Sequence, residues 1–494
     1  MFQWSPFVYI DLVGHLLKIL GGFLTMKKVT RLISLSIAIM LVLGLVIGAA
    51  GAQDEKVLHL NLDSEPPTLD PSLATDTTSV QVITELFVGL TRLHEVDVVV
   101  EPGMATDWEV SEDGLTYTFH LMDNVSWVRY DADSGEVVQV MDDEGNPRLV
   151  TAHDFVYGIR KTLDPMTAAD YAYVPAEWIL NGDAVNSGEM PVEDLGVRAV
   201  DDFTVEITAT SPASFLPNIF GLWFMAAQPS WVVEEHGDFW TEAENIQSYG
   251  PFALAEWEHE DSLVLVKNPF WAGTDSVPAP KVDRIEFAMI TEVSTAFANF
   301  EAGTLDVSAV PSADIDRVMA DPEMSELVFI SPLGCTYYYG FNVEKEPFTD
   351  ARIRRAFSIA IDRQAIIDNI LKGGQEPAYF FSRQDILTAA PRAADYPDLA
   401  ISSNPEDALP IFEEYLADTG QTREDLPTIT LMHNESEFHS LIAQAVQQMW
   451  KETLGVDVQI QSQEWGTYLD LLDEDPPQIF RLGWCQDYPD AHNF

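Results

Sequence analysis

Apolar and polar positions repeat along this chain with two periods, and each change of period marks an element. VLHLNL, residues 57–62, alternates as a strand does. Pro66, Pro67 and Pro71 then force an extended, turn-rich path through SEPPTLDPSLATD. In SVQVITELFVGLTRL, Val80, Ile83, Leu86, Phe87 and Leu90 recur at helical spacing, which predicts a helix. LTYTFHLM alternates Leu115, Tyr117, Phe119 and Leu121 with polar residues and predicts a strand. YDADSGEVVQVMDDEGNPRLVTAHDF reads as hairpins with polar turns leading into a helix at Ala152. DDFTVEITATSPASFLPNIF reads as a strand followed by a Pro-marked helix. Strands are predicted at DSLVLVKNPFW and VDRIEFAMI, then a helix over TEVSTAFANFEAGTLDV that Gly303 stops ahead of a new strand. From Cys335 the pattern is strand GCTYYYGFNV, one helix over TDARIRRAFSIAIDRQAIIDNIL, strand TITLMHN, a long helix through Trp450, and strand GVDVQIQSQEW.

Strand–helix–strand alternation favours a parallel or mixed sheet, so the fold class is α/β. Between about Val88 and Ser230 that rhythm is missing, and the segment reads as an α+β domain inserted between two halves of another. The expected organisation is a first domain in two segments, 53–87 and 232–334, an inserted domain over 88–231, and a third domain over 335–494. The length of 494 residues supports this, because one hydrophobic core does not grow that large.

The N-terminus changes the picture. Residues 27–31 supply a basic cluster (Lys27, Lys28, Arg31), and from Leu32 to Ala50 the residues are apolar or small, with two Ser. Ala50-Gly51-Ala52 fits the small-x-small cleavage pattern of an export signal, so residues 26–52 read as a signal peptide and 1–25 as an extension upstream of the true start. An uncleaved membrane tether is the other reading, since the apolar run is long enough to span a bilayer. Net charge is −54. Residues 1–52 carry four basic groups and one acid, which leaves −57 on the remainder. So acidic a surface repels phosphate backbones and argues against nucleic-acid binding. Cys335 and Cys485 are the only cysteines, and in an exported protein they stand either as one disulfide or as two buried thiols.

Catalytic signatures are missing: no G-x-S-x-G, H-E-x-x-H, P-loop, G-x-G-x-x-G or C-x-x-C is present. Asp131, Asp133, Asp142, Asp143 and Glu144 crowd one hairpin without EF-hand spacing, and a solvated acidic turn explains them better than a Ca²⁺ site. The ten His show no zinc spacing. An exported, acidic, Trp- and Tyr-rich α/β protein without catalytic apparatus suits ligand binding, with no cofactor and no metal.

Three stretches resemble a known family. YGPFALAEWEHEDSLVLVKNPFWAG (249–273), YYYGFNVEKEPFTDARIRRAFSIAIDRQAII (337–367) and the closing RLGWCQDYPDAHNF are similar to blocks of the family 5 solute-binding proteins of ABC importers. With Leu69-Asp70-Pro71 the likeness runs from about Val57 to the last residue. It implies a two-lobed periplasmic-binding-protein type II fold of cluster C with an extra inserted domain. It implies a monomer that closes around an extended peptide and docks on an ABC permease with its ATPase subunits, in a periplasmic or other extracytoplasmic location. A sugar, opine or metal chelate is the alternative ligand class, and an exported hydrolase the alternative activity. Family members continue well beyond the equivalent of Phe494, so the resemblance also implies that domain 335–494 is incomplete.

The GWC-x-DY run and CTYYY place the likeness in the oligopeptide-binding branch, which assigns roles residue by residue. Asp487 would hold the ligand ammonium group, and a buried ammonium does need a carboxylate; by its local sequence alone Asp487 is a turn-capping residue before Tyr-Pro. Cys335 and Cys485 would form a disulfide. Arg481, six residues before Asp487, shares its strand face and stands roughly 20 Å away if the run stays extended. Arg481 and His439 would serve the ligand carboxylate, with Lys372 as a third basic group; a helix-surface role suits His439 equally well. Gly483, Trp484, Trp465, Tyr338 and Tyr171 match pocket-wall positions, although aromatics at such places are often plain core. Leu333 and Ala309 stand where the branch often has Tyr, which implies roomier or differently shaped side-chain pockets.

Overall fold

The computed structural model describes residues 55–382, 395–396, 400–402 and 404–494; the expected extension and signal peptide lie outside the described residues. Three four-stranded sheets organise the described residues. Their strands are β1 (Val57–Asn61), β2 (Ala105–Val110), β3 (Thr116–Leu121), β4 (Val197–Asp201), β5 (Thr204–Thr208), β6 (Phe252–Glu258), β7 (Ser262–Lys267), β8 (Arg284–Ala288), β9 (Cys335–Phe341), β10 (Ile429–Asn434), β11 (Val458–Gln463) and β12 (Ile479–Cys485). The first sheet has the order β1-β8-β7-β6, the second β2-β3-β5-β4 and the third β9-β12-β10-β11. β1 runs parallel to β8, so the first sheet is assembled from segments on either side of the second. The second sheet is antiparallel throughout. The third is mixed, with β10 parallel to both β11 and β12, and β9 antiparallel to β12.

The helices that matter below are α1 (Thr77–Leu86), α2 (Ala152–Leu163), α3 (Val293–Ala302), α4 (Ala351–Ile359), α5 (Arg363–Ile366), α6 (Ala408–Thr419), α7 (Glu437–Leu454) and α8 (Trp465–Glu474). Helix α1 starts where the Asp76 carboxylate accepts the N–H groups of Thr78 and Ser79, and it buries Val82, Ile83 and Leu86 on one face. A capping box of Thr151 and Asp154 opens α2. Along α7, Ile442, Ala443, Val446, Trp450 and Leu454 are buried at spacings of three and four, and Gly455, with φ 71°, ends it.

Burial separates into two cores. The first runs from Leu62 to Phe287, is shared by the first and second sheets, and contains Trp127, Trp240 and Tyr249. The second runs from Phe348 to Ile479 around Phe357, Phe412 and Trp450. The Trp450 indole donates to the Phe357 carbonyl at 2.8 Å, which satisfies its one polar atom in that interior. The chain leaves the first core after β8 and returns after β12, where Tyr488 is again a member of the first core.

Four expectations are corrected. No strand follows Gly303: the Asp306 carboxylate accepts the N–H of His59 at 2.8 Å, so a side chain takes the β1 edge donor that a ladder would need. The single helix expected over residues 349–371 is broken after Ile359: the Asp362 carboxylate caps the N–H of Ala365 at 2.9 Å and restarts the backbone at α5, which runs on into a π-helical turn over Ile367–Leu371. The Pro-marked helix is one turn, Leu216–Ile219. Asp487 is not on the strand of Arg481, because β12 ends at Cys485 and the chain turns so that Tyr488 buries its ring.

Candidate ligand-binding site

The site forms where the third sheet meets the first core. In the β9–β12 register, Cys335 faces Cys485, Tyr337 faces Gly483 and Tyr339 faces Arg481. Alternation puts these residues on one face of the sheet and Thr336, Tyr338, Leu482 and Trp484 on the other. Cys335 and Cys485 are joined by a disulfide, with their Cα atoms 4.0 Å apart.

On the first face the Arg481 guanidinium lies over the Tyr337 ring, 4.6 Å from its centre, and donates to Asn434 Oδ1 at 3.1 Å. Gly483 lies beside the guanidinium, and a Cβ there would stand 3.6 Å from it, in ordinary contact. The Tyr468 hydroxyl of α8 donates to the Arg481 carbonyl. Across the Tyr337 ring, at 5.6 Å, stands His439 of α7, and His433 of β10 is 6.5 Å from His439. Burial, then the Arg481 charge, then His433, push His439 down to about 3, so it is neutral at neutral pH. Its Nδ1 and the Arg481 Nε are buried with no hydrogen-bond partner, and no carboxylate among the described residues pairs with Arg481. A guanidinium and a neutral imidazole with spare donors form a receptor for a carboxylate.

On the other face Trp484 stacks on Tyr171, with rings 6.2 Å apart and 6° from parallel. Tyr171 in turn packs on Trp223 and Phe224 of the first core. Tyr338 meets Phe381 at 5.1 Å. Trp465 opens α8, stacks on Tyr468 and donates to the Asp76 carboxylate at 3.3 Å.

Asp487 lies just past the strand, half-buried beside this aromatic wall. Its N–H donates to Asn493 Oδ1 at 2.8 Å, and Asn493 Nδ2 donates to Asp487 Oδ2 at 3.0 Å. Burial pushes the Asp487 carboxyl up to about 6, and the Asn493 bond only partly offsets that. No cation among the described residues pairs with it.

The structure thus brings Arg481, Gly483 and His439 together on one face, Trp484, Tyr171 and Tyr338 on the other, and Asp487 at the turn where the chain crosses between cores. Lys372 is not gathered with them: its ammonium is bound by Asp316 at 2.6 Å. Sequence reasoning did not single out Tyr337, Asn434, His433, Asp76, Tyr468 or Asn493. Tyr337 was visible in the YYY run, but the register pairs Arg481 with Tyr339, and only the path of the folded side chain lays the guanidinium over Tyr337; the others carry no signal of spacing.

Two cores, a split first sheet and a seam lined by aromatics, an unpaired guanidinium and an unpaired carboxylate define a two-lobed ligand-binding protein of the periplasmic-binding-protein type II fold. The family described as bacterial extracellular solute-binding proteins, family 5, matches residues 99–494, and the chain belongs to it. It is 32% identical to the oligopeptide-binding protein OppA of Bacillus subtilis, over 95% of this chain and 84% of that one. It superposes on the murein tripeptide binding protein MppA of Escherichia coli with a TM-score of 0.78 at 31% identity, covering 89% of this chain and 81% of that one. Haemophilus influenzae OppA in complex with the peptide RPPGFSPFR gives 0.76 at 28% identity, over 90% and 82%. Against the unliganded open form of MppA the TM-score is 0.54 at the same 31% identity.

Proposed function

We propose that this protein is the extracytoplasmic binding component of an ABC importer, capturing extended oligopeptides between its lobes and handing them to a permease and its ATPase subunits as a monomer. The observation that carries this reading is Asp487: a half-buried carboxylate pushed up to about 6, with no cation among the described residues and aromatic rings beside it. Such a group is costly when ionised, and a ligand ammonium removes that cost. Arg481 and His439 supply complementary chemistry for a ligand carboxylate. Main-chain hydrogen bonds and these terminal pairs hold the peptide, and its side chains rest in hydrated space. The relatives bear names of peptide binders, which supports the ligand class. The split first sheet and the antiparallel second one support the domain bounds of this reading, and the lobes are read as the first two sheets against the third. The protein acts by binding, without a chemical step. No helix among the described residues is long and apolar enough to cross a membrane.

Asp487→Ala tests the reading. Calorimetry with tri-alanine should show affinity reduced by roughly a hundredfold or more, as for loss of a buried charge pair, with the fold retained. Unchanged affinity overturns the assignment of Asp487. Mass spectrometry of molecules that co-purify with the protein should reveal peptides; a sugar or a metal chelate would redirect the ligand class.

A further inference from the structure

The turn after β12 is tied to the first core by several contacts. Tyr488 is 2% exposed. Its hydroxyl and His492 Nδ1 are 2.9 Å apart, and the His492 ring stacks on Phe215 at 5.2 Å. Asp490 accepts the His492 N–H at 2.9 Å. Inside this turn Asn493, 9% exposed, makes the reciprocal pair with Asp487 described above. Its Oδ1 fixes the Asp487 backbone and its Nδ2 fixes the Asp487 carboxylate. One carboxylate oxygen, Oδ2, is thereby occupied, and Oδ1 has no protein donor among the described residues.

We propose that Asn493 is the positioning residue that aims Asp487 Oδ1 at the ligand ammonium group and that its amide sets the pH range over which the site binds. This rests on the reading of Asp487 as the ammonium anchor. The primary amide accepts from the backbone N–H through its oxygen and donates to the carboxylate through its nitrogen, two roles held by two fixed atoms of one side chain. No Lys or Arg among the described residues pairs with Asp487, and the other titratable groups that face the turn come from three places. Tyr171 and Tyr173 approach from the first lobe, Tyr488 and Asp490 belong to the turn itself, and His492 faces Glu177 at 3.6 Å. The Asn493 N–H is therefore the one side-chain donor, among the described residues, that favours the ionised carboxylate.

Asn493→Asp separates aim from scaffold. It keeps the size and the acceptor for the Asp487 N–H, and it replaces the donor to Oδ2 with a second carboxylate. In calorimetric titrations of the full chain with tri-alanine, the pH midpoint of binding should rise by about one unit or more. Affinity near neutral pH should fall roughly tenfold, and affinity for N-acetyl-tri-alanine should stay unchanged. An unmoved midpoint, or an equal loss for both peptides, overturns the proposal. Asn493→Ala combined with Asp487→Asn gives an independent check. Losses that fail to add support action through Asp487, and additive losses overturn it. Asp487→Asn alone, if it left the preference for the free amine intact, would instead remove the underlying reading of Asp487.

Discussion

Two titratable residues of the site pull stability in opposite directions with pH. Asp487 is raised from 3.8 to about 6 in the folded chain. Its stabilising share is full below the unfolded value and is lost as pH rises through about 6. His439 is lowered from 6.5 to about 3, so its share is present above 6.5 and is lost as pH falls toward 3. Asp487→Asn is therefore expected to raise the Tm of the ligand-free protein at pH 7 while abolishing the Tm increase that peptide produces; differential scanning calorimetry reads both. In the unmutated protein, peptide affinity should weaken below about pH 6 by up to tenfold per unit, because a protonated carboxyl offers no charge to an ammonium group. At the opposite pole, Arg481→Gln should weaken binding of peptides with a free C-terminus and leave C-amidated peptides nearly unaffected, a contrast that competition titrations measure. Asp487 and Arg481 were recognisable from their motif. Asn493 was not, because the bond to Asp487 depends on a turn whose path is set by Tyr488 finding the first core.

At the scale of elements, helix starts decide more than helix lengths. The Glu437 carboxylate at the start of α7 accepts both the N–H and the hydroxyl of Ser294 at the start of α3, each at 2.8 Å. That pair joins a helix of the second core to the segment that follows the first sheet. Glu437→Ala should weaken affinity for free and acetylated peptides alike, by a few-fold, in the same calorimetric assay; a loss confined to free-amine peptides would contradict it. Trp450→Ala should cost about 3–5 kcal/mol, read by urea unfolding, since it empties the centre of the second core. Element type was legible wherever period and capping agreed, as in α2, α7 and the alternating β3. It failed where one side chain competed with the backbone: Asp362 restarting a helix and Asp306 blocking a strand edge both look like ordinary polar positions in a linear pattern.

For the whole molecule, topology was the most legible layer, because a strand pattern at residues 57–62 without a local partner demands a distant one. The disulfide closes a long loop, its cysteines standing 150 positions apart in the sequence. Its reduction should cost roughly 4–5 kcal/mol, visible as a lower Tm with a reducing agent than without one. The excess negative charge of the chain predicts faster association with cationic peptides at low ionic strength, a preference that salt erodes over a screening length of about 10 Å; stopped-flow rates at two salt concentrations measure it. What the linear pattern could not convey was the meeting of the lobes. Trp484 belongs by sequence to the third sheet, yet its ring rests on Tyr171 of the first core. That stacked pair has an optical consequence. Lobe separation takes the indole out of a rigid apolar stack and into water, so its emission shifts to the red, and the protein carries its own lamp for watching itself open and shut. Trp484→Phe removes that share of the shift and leaves the share of Trp465, whose indole reaches Asp76 across the same seam.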